Sequence, residues 1–237
     1  MRRAAGLVVF ALLVAGVGVT EALTPDPQHV LLVGDSILRS SGPALSRQLG
    51  EDWRVHNEAV NGSGLLTPDV FDWAEQLDEQ LVRVDPDVVV VGFIGNYTSD
   101  PTRFWRTAAG EVIESVDDPA FAPAWGRATD EALTRIAETD ARVVLVLPPP
   151  LATPQLQAVE DAIRAEYVRL ARTWPFVQVV DAAEAVGGPS GEWVATRETV
   201  GGDVLPVRTG DTVHLAPHGQ RLYARELVPA IRRGERG

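Results

Sequence analysis

The segment Gly34-Asp35-Ser36, which directly follows a short apolar run, is the first place where the side chains could carry chemistry. A serine at the turn between a strand and a helix is exposed at the sheet edge, and N–H groups at the helix start can stabilise negative charge. Ser36 could therefore act as a nucleophile. Taken alone, the same residues are more readily explained as a helix N-cap formed by Asp35 or Ser36.

The segment Asp211-Thr212-Val213-His214 lies near the C-terminus and contains a potential general base. A serine hydroxyl becomes an effective nucleophile only when a base removes its proton. Histidine is the usual base, and a carboxylate fixes its tautomer and supports the imidazolium. The spacing lets Asp211 reach His214 within one loop. A surface aspartate beside a capping histidine would have the same spacing, so the pair indicates catalysis only in combination with Ser36.

Two further segments could stabilise an oxyanion. Residues 57–64 contain Gly62 and Gly64, where the backbone can approach a substrate and present its N–H. Asn96 follows a strongly apolar strand, and an amide side chain at a strand's carboxyl end can donate to developing negative charge. Without a catalytic role, residues 57–64 would form a plain strand-to-loop turn, and Asn96 would form an Asx-turn.

The order and placement of these four segments resemble the SGNH (GDSL-like) hydrolase superfamily, which is named for Ser, Gly, Asn and His in four blocks. The resemblance covers about residues 28–230. It implies a catalytic triad and an oxyanion hole. The residues it assigns are Ser36 as nucleophile and oxyanion donor, Gly62 (with Gly64 as the alternative) and Asn96 as further donors, His214 as base and Asp211 behind it.

The third block departs from the family pattern, which commonly shows G-x-N-D. Here the glycine directly precedes Asn96, and Tyr97 replaces the aspartate. The proline run after residue 147 and the residues before Asp211 are similar to SGNH domains of cell-envelope polysaccharide O-acetylation proteins. The resemblance implies a serine esterase that hydrolyses small, acetyl-like esters, with carbohydrate as the expected alcohol. An O-acyltransferase acting on envelope polysaccharide and a catalytically silent glycan-binding domain are the alternatives.

The elements that must position these residues alternate between strands and helices. Apolar runs predict five strands at residues 29–33, 54–57, 87–94, 142–147 and 176–180. Amphipathic patterns predict helices at residues 42–49, 69–84, 123–139, 154–173 and 217–232. We therefore predict a three-layer, doubly wound (flavodoxin-like) α/β sandwich with about five parallel strands, formed by a single domain over residues 28–233. Its ligand crevice should lie beyond the carboxyl ends of the strands.

Composition excludes several classes of function. The net charge is -12, and the 21 basic residues are all arginine and form no basic run, which argues against nucleic acid as a partner. The absence of lysine and cysteine excludes Schiff-base and thiol chemistry. His214 and His218 are four residues apart, but Pro217 lies between them and no third ligand is evident. We expect neither a metal nor another cofactor.

The N-terminus has the pattern of an export signal. Two arginines precede an uncharged stretch at residues 4–19, and a small-residue cleavage site follows. We predict that residues 1–22 are a signal peptide or a retained membrane anchor. In either case the domain is expected to face outward, with membrane association possible through residues 4–19.

Three residues near the expected crevice could bind substrate. Trp105 and Trp193 lie in two long connections, at residues 96–118 and 187–210, and their rings could stack on a sugar. Arg208 could orient a carboxylate or hydroxyl group, or could form a salt bridge instead.

Overall fold

A five-stranded sheet forms the centre of the protein, as seen in a computed structural model that describes residues 26–96, 104–107 and 109–233. The predicted export segment, residues 1–22, lies outside the described residues. The strands are β1 (Gln28–Gly34), β2 (Trp53–Asn57), β3 (Val88–Gly92), β4 (Trp105–Arg106), β5 (Val112–Ile113), β6 (Arg142–Val146), β7 (Val177–Val180), β8 (Thr196–Glu198) and β9 (Val204–Pro206). The helices are α1 (Ser36–Leu49), α2 (Trp73–Val84), α3 (Phe121–Ile136), α4 (Pro154–Ala171), α5 (Ala183–Val186) and α6 (Pro217–Arg232).

The main sheet has the order β2-β1-β3-β6-β7, and its neighbouring strands all pair in parallel. Strand β3 is fully buried because its run of valines has helices on both sides, as expected for a central parallel strand. The predicted five-stranded, doubly wound fold is confirmed, with the flavodoxin-like strand order.

Each face of the sheet has its own apolar core. Helices α1 and α6 cover one face, where Leu45 and Leu227 pack with Val30. Helices α2, α3 and α4 cover the other, where Leu77, Trp125 and other large side chains pack against the opposite faces of the same strands. The result is the predicted three-layer sandwich.

Helix α1 is longer than the sequence pattern predicts, because it begins at Ser36 rather than at residue 42. Gly42 and Pro43 suggest a break, and Pro43 cannot donate to the carbonyl of Arg39. In the structure the Asn57 amide donates to that carbonyl instead, at 2.8 Å. A Cβ on Gly42 would lie 2.2 Å from the Asn57 amide nitrogen, so this approach requires glycine. The helix therefore continues through the proline, and Ser36 becomes its first residue.

The two long connections contain small hairpins that the sequence pattern did not reveal. Strands β4 and β5 pair antiparallel within the first, and β8 and β9 pair antiparallel within the second. Both pairs are only two or three residues long.

Among the described residues, every helix is too short or too polar to span a bilayer.

Candidate active site

Ser36 lies at the carboxyl end of β1, at the first position of α1. Asp35 is the N-cap of this helix, and its Oδ1 accepts the N–H of Ile37 at 3.0 Å. Both interpretations of the sequence motif are therefore compatible: Asp35 caps the helix, and Ser36 is left at the helix N-terminus beside the edge of the sheet. Backbone N–H groups there favour negative charge.

The turn that contains His214 reaches Ser36 from the C-terminal part of the chain. His214 Nε2 lies 2.8 Å from Ser36 Oγ, and His214 Nδ1 lies 2.7 Å from Asp211 Oδ2. The structure thus brings the three side chains together, although Ser36 and His214 are 178 residues apart in the chain. Both distances are within the range of a hydrogen bond, so a proton can pass from the serine to the imidazole.

Asp211 also holds the turn in shape. Its Oδ1 accepts the backbone N–H groups of Val213 and His214 and the hydroxyl of Thr209, at 3.0, 2.9 and 2.7 Å. Partial burial opposes ionisation, but these hydrogen bonds and that of the His214 ring together hold the pKa of Asp211 below its usual range. The carboxylate is therefore charged at neutral pH and can support an imidazolium. Thr209 was not anticipated, because a threonine two residues before an aspartate carries no distinctive pattern.

Close packing of α6 fixes where this turn begins. A Cβ on Gly219 would lie 2.2 Å from the carbonyl oxygen of Val207, so α6 could not approach this segment with a larger residue there. The same carbonyl accepts the N–H of Ala216 at 2.9 Å. Arg208 and Leu215 then form an antiparallel bridge that closes the base of the turn. We call residues 209–214 the histidine loop.

The loop after β2 is tied to the serine turn through the carbonyl of Gly34. That carbonyl accepts the N–H of Val60 at 2.8 Å and the hydroxyl of Ser63 at 3.2 Å. The Ser63 hydroxyl in turn accepts the indole N–H of Trp73 at 3.0 Å. Gly62 has a left-handed backbone (φ 75°), whereas Gly64 does not. Which of the two glycines completes an oxyanion hole stays open, and Ser63 is a buried link that sequence reasoning missed.

Asn96 lies beyond the carboxyl end of β3, as predicted, with φ 42° directly after Gly95 at φ 84°. Its amide nitrogen donates to the carbonyl of Ser63 and, at 3.4 Å, to Asp35 Oδ2. The amide of Asn96 is thus held by the loop after β2 and by the carboxylate of the residue that precedes Ser36. Its donation to an oxyanion stays a prediction.

Asp35 is fully buried beneath this arrangement and lies next to Ser36 in the chain. Burial raises the pKa of its carboxyl to about 6, although the N–H groups of Ile94 and Ile37 favour the charged form. The N–H of Ile94 donates to Oδ2 at 2.6 Å. The carboxylate thus links the ends of β1 and β3 at an energetic cost.

This cost predicts a pH-dependent effect of Asp35→Asn. Because the folded-state pKa is raised, the unfolded chain binds fewer protons between about pH 4 and 6, and the contribution of Asp35 to stability declines over that range. Asparagine does not ionise, but it loses the acceptor for Ile94. The stability advantage of the wild type over the variant should therefore shrink by about 2 kcal/mol between about pH 4 and 7. Urea unfolding of both proteins across this range measures it, and a constant difference would contradict the prediction.

Trp105 does not lie open to a ligand. It is only 4% exposed, its indole N–H donates to the carbonyl of Gly95 at 2.8 Å, and its ring packs on Phe121 with centroids 4.4 Å apart. The proposed stacking of Trp105 on a sugar is therefore corrected: the residue supports the chain just before Asn96 from the core side.

Trp193 is partly exposed and contacts the histidine loop. Its indole N–H donates to the carbonyl of Thr212 at 2.9 Å, where the backbone is left-handed (φ 67°). The residue is not fully buried, and contact of its ring with a sugar stays a prediction.

Arg208 is 4% exposed, which removes it from direct contact with a large substrate. Its guanidinium donates to the carbonyls of Val213 and Pro150, at 2.8 and 2.7 Å. Within the part of the chain that the structure describes, it forms no ion pair. Both sequence alternatives, ligand contact and salt bridge, are therefore replaced by a clamp on two backbone carbonyls.

Comparison with known families gives a match over nearly the whole sheet and its helices. A family described as "Protein of unknown function (DUF459)" matches residues 29–230. The chain belongs to this family. No curated protein sequence matches the chain. Membership of DUF459 by itself assigns no reaction, so the fold and the site geometry remain the basis for a function.

Solved structures share the fold of this DUF459 chain at low sequence identity. An acetylxylan esterase from Geobacillus stearothermophilus, in a catalytic mutant form, has a TM-score of 0.60 and 13% identity over 88% of this chain and 95% of its own. A carbohydrate esterase family 3 protein from Talaromyces cellulolyticus has a TM-score of 0.54 and 15% sequence identity, over 87% of this chain and 97% of its own. A member of the lipolytic protein G-D-S-L family from Veillonella parvula has a TM-score of 0.56 and 14% sequence identity, over 85% of this chain and 97% of its own. The resemblance to the SGNH (GDSL-like) superfamily is thereby confirmed for the fold.

Proposed function

We propose that this protein is a serine esterase of the SGNH type. The observation that carries the proposal is the continuous contact from Ser36 through His214 to Asp211, with both hydrogen bonds below 3 Å. Residues from opposite ends of the chain meet in the order nucleophile, base and carboxylate that acyl transfer requires. The SGNH-type fold supports the same reaction class.

The proposed reaction has two steps. Ser36 Oγ attacks the ester carbonyl while His214 Nε2 takes the proton, and Asp211 stabilises the imidazolium. The Ser36 N–H, a glycine N–H from the loop after β2 and the Asn96 amide would hold the oxyanion, each worth about 3 kcal/mol of the barrier. His214 then protonates the leaving alcohol. Water, activated by the same histidine, finally releases the acyl group and regenerates Ser36.

Hydrolysis is favoured over transfer to a second alcohol by the openness of the base and its partner. The His214 side chain is 41% exposed and that of Asp211 is 52% exposed. Water therefore reaches the imidazole that must activate it. An acyltransferase gains from excluding water while the acyl-enzyme waits for its acceptor.

The substrate that we propose is a small acyl ester, such as an acetyl ester, on a carbohydrate. The fold is shared with an acetylxylan esterase and a carbohydrate esterase, and the partly exposed Trp193, which contacts the histidine loop, is a residue whose ring could stack on a sugar. The signal-like pattern of residues 1–22 supports action outside the cytoplasm, where such polymers are found.

The test is hydrolysis by the full-length protein of three substrates: acetylated xylo-oligosaccharide, an acetyl ester of a simple phenol, and the octanoyl ester of the same phenol. Both acetyl esters should be cleaved, and the octanoyl ester much more slowly. A fluorophosphonate should label one residue, located at Ser36 by peptide mass spectrometry. Labelling elsewhere, or no cleavage of any ester, would contradict the proposal. Acetylated product that accumulates when an oligosaccharide acceptor is added would instead support the acyltransferase alternative.

A further inference from the structure

Arg208 is the feature of the site that the proposed reaction does not use. It lies at the base of the histidine loop, where its own backbone bridges to Leu215. Its side chain turns back across this bridge, and one Nη donates to the carbonyl of Val213 at 2.8 Å. Because Val213 directly precedes His214, the guanidinium is one peptide group away from the proposed base.

That peptide group is held at both ends. Arg208 binds the oxygen of the Val213–His214 peptide, and Asp211 Oδ1 accepts its N–H at 2.9 Å. A peptide plane fixed at its oxygen and its nitrogen cannot rotate without breaking one of two charge-assisted hydrogen bonds. The position of the His214 backbone, and hence the direction of its ring, depends on this double contact.

The other end of the guanidinium is anchored in the same way. Its second Nη donates to the carbonyl of Pro150 at 2.7 Å, and the N–H of the same peptide, from Leu151, donates to Glu160 Oε2 at 3.0 Å. Glu160 belongs to α4, which packs on the opposite face of the sheet from α6. Arg208 therefore joins the histidine loop to a peptide that is itself fixed to a rigid helix.

Burial makes this arrangement costly. Desolvation lowers the pKa of the Arg208 guanidinium to about 10, and its Nε is buried without a hydrogen-bond partner among the described residues. Among the residues that the structure describes, this buried charge forms no ion pair, and an unpaired buried charge does not favour stability. A planar fork that reaches two carbonyls at once is, in contrast, a good way to fix their relative positions.

We propose that Arg208 is a positioning residue, which orients His214 toward Ser36 by clamping the Val213–His214 peptide to the Pro150–Leu151 peptide. The inference rests on the proposed role of His214 as the general base. It makes two demands: loss of the fork should impair the proton-transfer step rather than substrate binding, and it should loosen the contact between His214 and Asp211.

The first experiment compares Arg208→Met with Arg164→Met in ester hydrolysis. Arg164 is a matched control, because it also donates to a carbonyl of the proline run (Pro148, at 3.0 Å) but belongs to α4 and pairs with Asp181. Arg208→Met should lower kcat on the order of 10²-fold with little change in KM, since a displaced base slows chemistry without weakening binding. Arg164→Met should keep both constants near those of the wild type.

Arg208→Lys keeps the positive charge but not the planar fork. An ammonium can bind one of the two carbonyls well but does not reproduce the bidentate geometry, so kcat should fall between those of the wild type and Arg208→Met. If Arg208→Met does not fold, Arg208→Lys alone carries the comparison. Full activity of the folded lysine variant, a rise in KM at constant kcat, or an equal loss in Arg164→Met would overturn the proposal.

The second experiment needs no substrate. The imidazole proton that His214 shares with Asp211 should give a far-downfield proton resonance in the wild type, identified by its loss in His214→Gln. We expect this resonance to persist in Arg164→Met and to broaden or disappear in Arg208→Met. If no ester is hydrolysed but the resonance responds in this way, the clamp stands and the proposed function fails. If esters are hydrolysed and the resonance is unchanged in Arg208→Met, the clamp is wrong and the function stands.

Discussion

Replacing Ser36 with alanine is expected to lower kcat for acetyl-ester hydrolysis by about 10⁴- to 10⁶-fold, because the change removes the hydroxyl that His214 Nε2 contacts. The residual rate would come from substrate binding and the oxyanion donors, which alanine leaves in place. Alanine fits the first position of α1, and the Asp35 cap does not involve the Ser36 side chain. Steady-state kinetics, together with urea unfolding to show that the fold is retained, measures the effect.

Ser40→Ala is the matched control for this substitution. Ser40 lies one turn further along α1, and its hydroxyl donates to the carbonyl of Ile37 at 3.1 Å, so the change removes a hydroxyl from the same helix outside the triad. The variant should hydrolyse esters at nearly the wild-type rate. Equal rates for Ser36→Ala and the wild type would remove the nucleophile from the proposed mechanism.

The central strands were predictable because burial on both faces demands an uninterrupted apolar sequence. The valine run of β3 is the clearest case, and the structure buries every residue of that strand. The start of α1 was not predictable in the same way. The contact that lets the helix continue past Pro43 comes from Asn57, at the end of β2. No local pattern within α1 reveals this contact.

The site shows the same division between local and tertiary information. The resemblance to the SGNH superfamily implied that Ser36, Asp211 and His214 act together, and the structure places them within hydrogen-bond distance of one another. The sequence predicted a substrate contact for Trp105 because it lies in a long connection, and either a ligand contact or a salt bridge for Arg208. Each is buried by elements distant in the chain: Phe121 covers Trp105, and Pro150 faces Arg208. Position in a loop did not reveal which side chains turn inward.

Asp211→Asn is expected to lower kcat by about 10⁴-fold at neutral pH, although the change replaces only one carboxylate oxygen by an NH₂ group. The Oδ1 position accepts three hydrogen bonds from Thr209, Val213 and His214, so the amide oxygen should occupy that position. The amide NH₂ then faces His214 Nδ1. This nitrogen must accept rather than donate, and its proton moves to Nε2, which can no longer take the proton of Ser36.

The opposite orientation of the asparagine would not restore activity. It would let His214 Nδ1 donate again, but the amide NH₂ would meet the backbone N–H groups of Val213 and His214, and the histidine loop would lose its internal acceptor. Asp72→Asn separates this effect from simple capping, because Asp72 accepts two backbone N–H groups at the start of α2, far from the triad in the chain, and asparagine caps almost as well. That control should keep wild-type kcat. An Asp211→Asn enzyme within tenfold of the wild type, in contrast, would show that His214 keeps its tautomer without the carboxylate and that the third member of the proposed triad lies elsewhere.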